Sequence, residues 1–257
     1  MAAAAGPGAG SDWISLTMPG GARVVVTTRT GGDSLPPYDG FNLALHVGDA
    51  AASVLVNRRH LQQRLALPQQ PAWLEQVHGI DVVDAARVDP GSPAPLADAS
   101  WTRARGVACV VMTADCLPVV LAARDGSVAG VAHAGWKGLC NGVIEALAAR
   151  MAVPGEAMTA WLGPCIGPAG YETGGEVRAA FMARDARAAE GFRPVTRADG
   201  TPGYLCDLYT LARQRLAALG VAEVAGGTHC TYTEGARFYS FRRQPRTGRF
   251  ATLVWLP

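Results

Sequence analysis

Three apolar runs dominate the middle of the chain: Val107–Met112, Val119–Ala123 and Val128–Ala132. They are continuous rather than alternating, which is the pattern of strands covered on both faces. Near the two ends, Val24–Thr28 and Ala251–Leu256 read the same way, and shorter strands are expected at Trp73–His78, Asp81–Ala86 and Thr159–Gly163. Arg124-Asp125-Gly126-Ser127 separates two of the central runs and has the composition of a hairpin turn. Helical periodicity appears in Ala51–Leu65, Gly138–Ala152, Glu176–Arg187 and Asp207–Leu219, the last stopped by Gly220. A helix or turn is expected at Ser100–Arg105, and strand-rich sequence from Thr228 to Leu256. Strands and helices alternate irregularly, with neither a repeat nor a linker. The pattern predicts one α/β domain over residues 13–257 with mixed sheets, behind a disordered leader at 1–12.

Composition narrows the class. A chain of 257 residues, 49% hydrophobic, can bury a full core. Its 23 basic and 21 acidic residues nearly cancel to +2, which gives no footing for nucleic acid or a membrane surface as partner. Mean hydropathy is +0.12, raised by alanine and valine, and no apolar run approaches the roughly 18 residues of a membrane span. The leader lacks the basic start of a secretion signal, so a cytoplasmic protein is expected. The six cysteines form no CxxC pair and read as free thiols in a reducing compartment.

The candidate chemistry sits at strand ends. VACVVM leads into Thr113-Ala114-Asp115-Cys116, and SVAGVA leads into His133-Ala134-Gly135-Trp136. One sheet edge thus presents a thiol and an imidazole, and His78 in EQVHG completes a set of two histidines and one cysteine. Such a set with an open fourth position suits a catalytic zinc. Small residues after His133 permit close approach, and Trp136 can wall a pocket or stack on a flat substrate. Asp115 is a candidate to assist catalysis beside Cys116. Asn42 and His46 form a polar loop expected to touch substrate, with His46 also a rival third ligand. Cys165, rigid between Pro164 and Ile166-Gly167-Pro168, is expected to line the pocket. Arg58, Arg242-Arg243 and Arg249 are the anion-binding candidates, because guanidinium forks match phosphate oxygens, and of these Arg58 and Arg243 are expected to hold the substrate phosphate. His60 reads as solvent-facing, and Cys109 and Cys140 as ordinary thiols.

The strings TADCLPV (113–119), HAGWKG (133–138), GPCIGP (163–168) with Tyr171-Glu172, and CTYTEGARFYSFRRQPRTGR (230–249) resemble the YfiH/laccase-domain family. That family is also called polyphenol oxidase, purine nucleoside phosphorylase or peptidoglycan editing factor. The likeness runs from Trp13 onward and includes NLALHVGD, NRR and EQVHG; Lys137 and Ala44 depart from its usual arginine and serine. The resemblance implies a four-layered α/β/β/α sandwich and zinc held by His78, Cys116 and His133. It also implies phosphorolysis of adenosine, inosine and S-methyl-5′-thioadenosine, adenosine deamination besides, and a claimed copper-dependent laccase activity. Five histidines are few for a multi-copper centre. The partners the resemblance implies are a nucleoside and phosphate, taken by a monomer or homodimer. Two rivals come from other classes. One is a cysteine hydrolase on cell-wall precursors using Cys116 and His133. The other is a binding module whose structural zinc has His46 or Cys165 as a fourth ligand.

Overall fold

The chain is described by a computed structural model over residues 12–197 and 199–257. The expected leader, apart from Asp12, lies outside the described residues. The first half contains β1 (Ile14–Thr17), β2 (Arg23–Val26), helix α1 (Ala51–Arg64), β3 (Val82–Asp84), β4 (Ala99–Thr102) and β5 (Cys109–Thr113). Next come β6 (Leu117–Ala123), β7 (Ala129–Ala134), α2 (Trp136–Asn141), α3 (Val143–Met151) and β8 (Met158–Leu162). The remainder holds β9 (Glu172–Thr173), α4 (Gly175–Met182), β10 (Phe192–Thr196), β11 (Pro202–Cys206), α5 (Leu208–Ala218), β12 (Glu223–Gly226) and β13 (Phe250–Trp255). Among the described residues no helix is long and apolar enough to cross a membrane.

Two sheets stack face to face. One has strand order β1-β2-β13-β5 and is antiparallel throughout; the other has order β12-β8-β6-β7-β4-β3, with parallel pairs at both edges. A small β10-β11-β9 sheet lies apart from them. Period-two alternation sorts the side chains into three buried layers. Val24, Val26, Cys109, Val111 and Val254 meet Val120, Ala122, Ala129 and Val131 between the sheets. The opposite face of the four-stranded sheet, with Val25, Val110, Met112, Ala251 and Leu253, is covered by Leu61 of α1 and by Phe41 and Leu43. The opposite face of the six-stranded sheet, with Leu117, Val119, Leu121 and Ala132, is covered by Ile144 and Leu147 of α3 and Leu211 of α5. The result is the expected α/β/β/α sandwich. Both faces of both sheets are covered, so the strand runs are continuous rather than alternating. Truncating a fully buried side chain such as Leu121 costs about 2–5 kcal/mol.

Some expectations shift. Ser100–Arg105 is not helical: Ala99–Thr102 forms β4, pairing with β3 and β7. The helix expected over 138–152 is split into α2 and α3 at Gly142, whose φ of 102° ends the first and caps the second. Trp73–His78 is not a strand. It is tied down by single bridges (Ala72 to Cys109, Glu75 to Leu96) and by Gln76, whose amide pairs with both backbone groups of Met112. From residue 228 to 249 the chain forms turns, anchored by the fully buried Phe238 and Tyr239. The strand there is β13.

Candidate active site

The three expected ligands converge. Cys116 starts the run into β6, and His133 sits in β7 opposite Pro118, so the antiparallel register of those strands puts the thiol and the imidazole at one end. His78 arrives from the tethered 72–78 segment with φ of 60°, a left-handed conformation for a residue that bears a Cβ. Their ligand atoms lie within 4.8 Å of one another, with Cys116 Sγ 3.9 Å from His78 Nε2. A tetrahedral zinc sets its nitrogen and sulfur ligands about 3.5 Å apart, so the three donors would draw together to bind one. Gly135 shows how tightly the group is cradled. A Cβ there would stand 2.9 Å from Cys116 Sγ and 3.0 Å from His78 Cδ2. The donor set and its spacing fit a divalent metal held by His78, Cys116 and His133.

His133 is buried, and its Nδ1–H donates to Asp98 Oδ1 at 2.8 Å, which leaves Nε2 for the ligand group. The same carboxylate accepts the backbone N–H groups of Val77, His78 and Gly79. In the metal-free site burial disfavours the Cys116 thiolate, but the positive charge of His133 and hydrogen bonds from His133 and His78 bring the thiol down to about 6. Burial likewise opposes a charge on His133, yet the Cys116 thiolate and Asp98 raise it to about 9. Without metal the two form a thiolate–imidazolium pair.

The ligands open onto a cavity of about 400 Å³, lined also by His46, Gln76, Met112, Asp115, Trp136, Tyr171, Phe241, Arg242 and Arg249. Trp136, Tyr171 and Phe241 supply aromatic wall. Arg242 stacks on Tyr171 and donates to the carbonyl of Glu172, and Arg249 lies over Phe241 with Nη1 on the carbonyls of Thr247 and Gly248. Among the described residues neither arginine pairs with a carboxylate. His46 is exposed at the rim, and partial burial followed by the charges of Arg249 and Arg58 lowers its pKa, which keeps it neutral at pH 7.

Of the other expected site residues, Asp115 lines the cavity in a left-handed conformation (φ 96°), but its two oxygens accept from Thr231 Oγ1 and the Arg242 N–H. It ties the 231–242 turns to the ligand loop. Four residues stand off the cavity. Asn42 is buried, receiving the N–H groups of Ala44 and Arg249 and donating to Asp49. Arg58 stacks 3.8 Å over Trp73 and donates to the Leu43 carbonyl, close enough to His46 to act on its charge. Arg243 spends its guanidinium on the carbonyls of Thr231, Tyr232 and Phe238, which closes the turns rather than a ligand site. Cys165 is fully buried in the core beside the helices, where burial lifts its thiol well above the ordinary value. Neither His46 nor Cys165 joins the ligand group, which stays at three donors with one side open to the cavity.

Sequence reasoning passed over Asp98, Tyr171 and Phe241 as site residues, and it favoured Arg58 and Arg243 over Arg242 and Arg249, the two that line the cavity. The aromatic-and-arginine density of 238–249 was a usable signal for Phe241, Arg242 and Arg249. Asp98, in Leu96-Ala97-Asp98-Ala99, carried none.

A family model described as multi-copper polyphenol oxidoreductase laccase matches residues 23–257. The chain is 51% identical over 247 residues to a Pseudomonas aeruginosa protein named purine nucleoside phosphorylase PA4543, covering 95% of this chain and 98% of that one. It is 49% identical over 240 residues to Escherichia coli purine nucleoside phosphorylase YfiH, covering 93% and 95%. The crystal structure of Neisseria meningitidis protein NMB0706 superimposes with a TM-score of 0.89 at 43% identity, covering 96% of this chain and 99% of that one. Matched along nearly its whole length in sequence and in fold, the chain belongs to the laccase-domain family that includes the YfiH proteins.

Proposed function

We propose that this protein is a zinc-dependent purine nucleoside phosphorylase acting on adenosine, inosine and S-methyl-5′-thioadenosine, with adenosine deamination as a second activity. The observation that carries the proposal is one cavity that joins a His–Cys–His donor set, an aromatic wall and two arginines without carboxylate partners. Its volume of about 400 Å³ falls among small-molecule sites. The names of the relatives support an enzyme of this class.

In phosphorolysis the C1′–N bond breaks, a phosphate oxygen bonds C1′, and the departing purine takes up a proton. Arg249 and Arg242 hold the phosphate, with neutral His46 as a further hydrogen-bonding group at the rim. Trp136 and Phe241 stack on the purine. Cys116, His78 and His133 hold the metal. Zinc held there would supply Lewis acidity. Asp115 keeps the Arg242 segment against the ligand loop. The substrates are small molecules, and the six free thiols suit a reducing cytoplasm.

The same geometry favours one second reading. Cys116, His133 and Asp98 form a nucleophile, base and orienting carboxylate, the arrangement of a cysteine hydrolase acting on a cell-wall precursor. Metal separates the two, since a thiolate that holds zinc is not free to attack. Copper is the alternative metal. Among the described residues one group of three donors closes, fewer than a multi-copper centre needs.

The deciding experiment is product analysis of metal-quantified protein with adenosine, with and without phosphate, beside Cys116→Ala. Adenine and ribose 1-phosphate formed only with phosphate, and lost in the variant, support the proposal. Inosine formed without phosphate makes deamination the main activity. No turnover of nucleosides by protein carrying stoichiometric zinc refutes it. Metal-free protein active on cell-wall precursors and silenced by Cys116 alkylation favours the hydrolase.

A further inference from the structure

Asp98 is fully buried, and all four acceptor positions of its carboxylate are in use. Oδ1 accepts from His133 Nδ1 at 2.8 Å and from the His78 N–H at 2.9 Å. Oδ2 accepts from the N–H groups of Val77 at 3.1 Å and Gly79 at 2.6 Å. Its own carbonyl accepts the His133 N–H at 2.7 Å. The segment that carries His78 and the strand that carries His133 therefore meet on one residue that touches neither the thiol nor the cavity.

We propose that Asp98 is the positioning residue of the metal site, one carboxylate that fixes the ring nitrogen His133 offers and holds the left-handed turn that presents His78. This rests on the reading of His78, Cys116 and His133 as metal ligands. Each half of the bond pattern is informative. A carboxylate accepts and does not donate, so His133 carries its proton on Nδ1 and keeps Nε2 for a metal. Three successive N–H groups converge on the same carboxylate, and this offsets the cost of a non-glycine residue at φ 60°. The two imidazoles are thereby set at a ring-centroid separation of 4.8 Å before any metal arrives.

An amide cannot substitute. In Asp98→Asn the NH2 group replaces one acceptor oxygen. In one orientation it faces the N–H groups of Val77 and Gly79. In the other it faces His78 N–H and His133 Nδ1–H, a clash relieved by moving the His133 proton to Nε2, the nitrogen a metal needs. Both outcomes weaken the metal site while the layers of the fold stay packed.

The test compares purified full-length wild type and Asp98→Asn by zinc affinity in chelator competition, thermal unfolding of metal-free protein, and long-range 1H–15N spectra of the zinc-loaded histidines. Zinc affinity about 10–100-fold weaker in the variant, with the His133 Nδ1 proton lost or its tautomer changed, supports the proposal. Lower melting temperature with zinc affinity within about twofold of wild type assigns Asp98 to stability alone and overturns it. Should the variant fail to fold, the wild-type spectrum decides. A hydrogen-bonded proton on His133 Nδ1 with metal on Nε2 is expected, and the reverse arrangement refutes the proposal. Wild type that binds no zinc overturns both this proposal and the ligand reading; wild-type binding that Asp98→Asn leaves unchanged overturns this proposal alone.

Discussion

Replacing Gly135 with alanine tests the metal site without touching a ligand. Gly135 has φ −61° and ψ 160°, a conformation alanine adopts freely, so backbone strain does not enter. It precedes α2 at the N-cap, where exchanging glycine for alanine costs at most about 1 kcal/mol. The consequence is steric. The new methyl would lie 2.9 Å from Cys116 Sγ and 3.0 Å from His78 Cδ2, where comfortable contacts are about 3.5–4.0 Å. Sulfur and ring must each retreat by about 0.5–1 Å, several times the roughly 0.2 Å tolerance of a metal–ligand distance. His78 is exposed and can swing outward, so the metal-free protein should lose no more than about 1–3 kcal/mol. Zinc affinity should fall at least about tenfold, as when a metal's supporting shell is disturbed. Chelator competition and metal-free thermal melts, run on the same preparation, read the two quantities separately. A variant that melts normally and binds zinc as tightly as wild type would refute the site geometry.

Three more outcomes are expected. In metal-free protein Cys116 should be alkylated fastest among the cysteines, its rate falling as pH drops through about 6, because protonation removes the thiolate that His133 and His78 stabilise; zinc should protect it. Alkylation with a midpoint near the ordinary thiol value would contradict the pairing. Arg249→Gln should raise the phosphate KM by about tenfold or more with zinc content unchanged, read by phosphate titration, whereas Arg243→Gln should lower the melting temperature because its carbonyl contacts close the 231–243 turns. Asp115→Asn loses an acceptor for Thr231 or Arg242 and should cost about 1–3 kcal/mol of stability by denaturant melt; an unchanged melt would count against its tethering role.

How much of this was legible in the chain follows from the range of each interaction. The central strands and α1 are encoded by local runs and periods. The donors Cys116 and His133 were readable because each ends such a run. Gly142 was missed as a break since its φ of 102° is set by where α3 must pack. Ser100–Thr102 reads as polar turn, yet it is a strand because β3 and β7 flank it. Asp98 was invisible for the same reason: its partners are the distant residues 77–79 and 133, and nothing beside it in sequence marks a buried carboxylate. Among the four candidate arginines the sequence pointed to Arg58 and Arg243, whereas the cavity is lined by Arg242 and Arg249. What distinguishes Arg249 from Arg243 is that Arg249 lines the cavity, while Arg243 lies off it with both terminal nitrogens on backbone carbonyls, a matter of tertiary geometry.

The place of β13 has a consequence for how the protein is made. It lies between β2 and β5 at the centre of the four-stranded sheet, yet a ribosome produces it after the other twelve strands of the described residues. Until it emerges, β2 and β5 each expose an unpaired apolar edge, the kind of surface that invites aggregation and chaperone capture. The cavity's Phe241, Arg242 and Arg249 are delivered by the same late segment. All three residues of the candidate metal group, His78, Cys116 and His133, are made before the groups proposed to recognise substrate. The cavity is therefore complete only once β13 and the turns before it are in place.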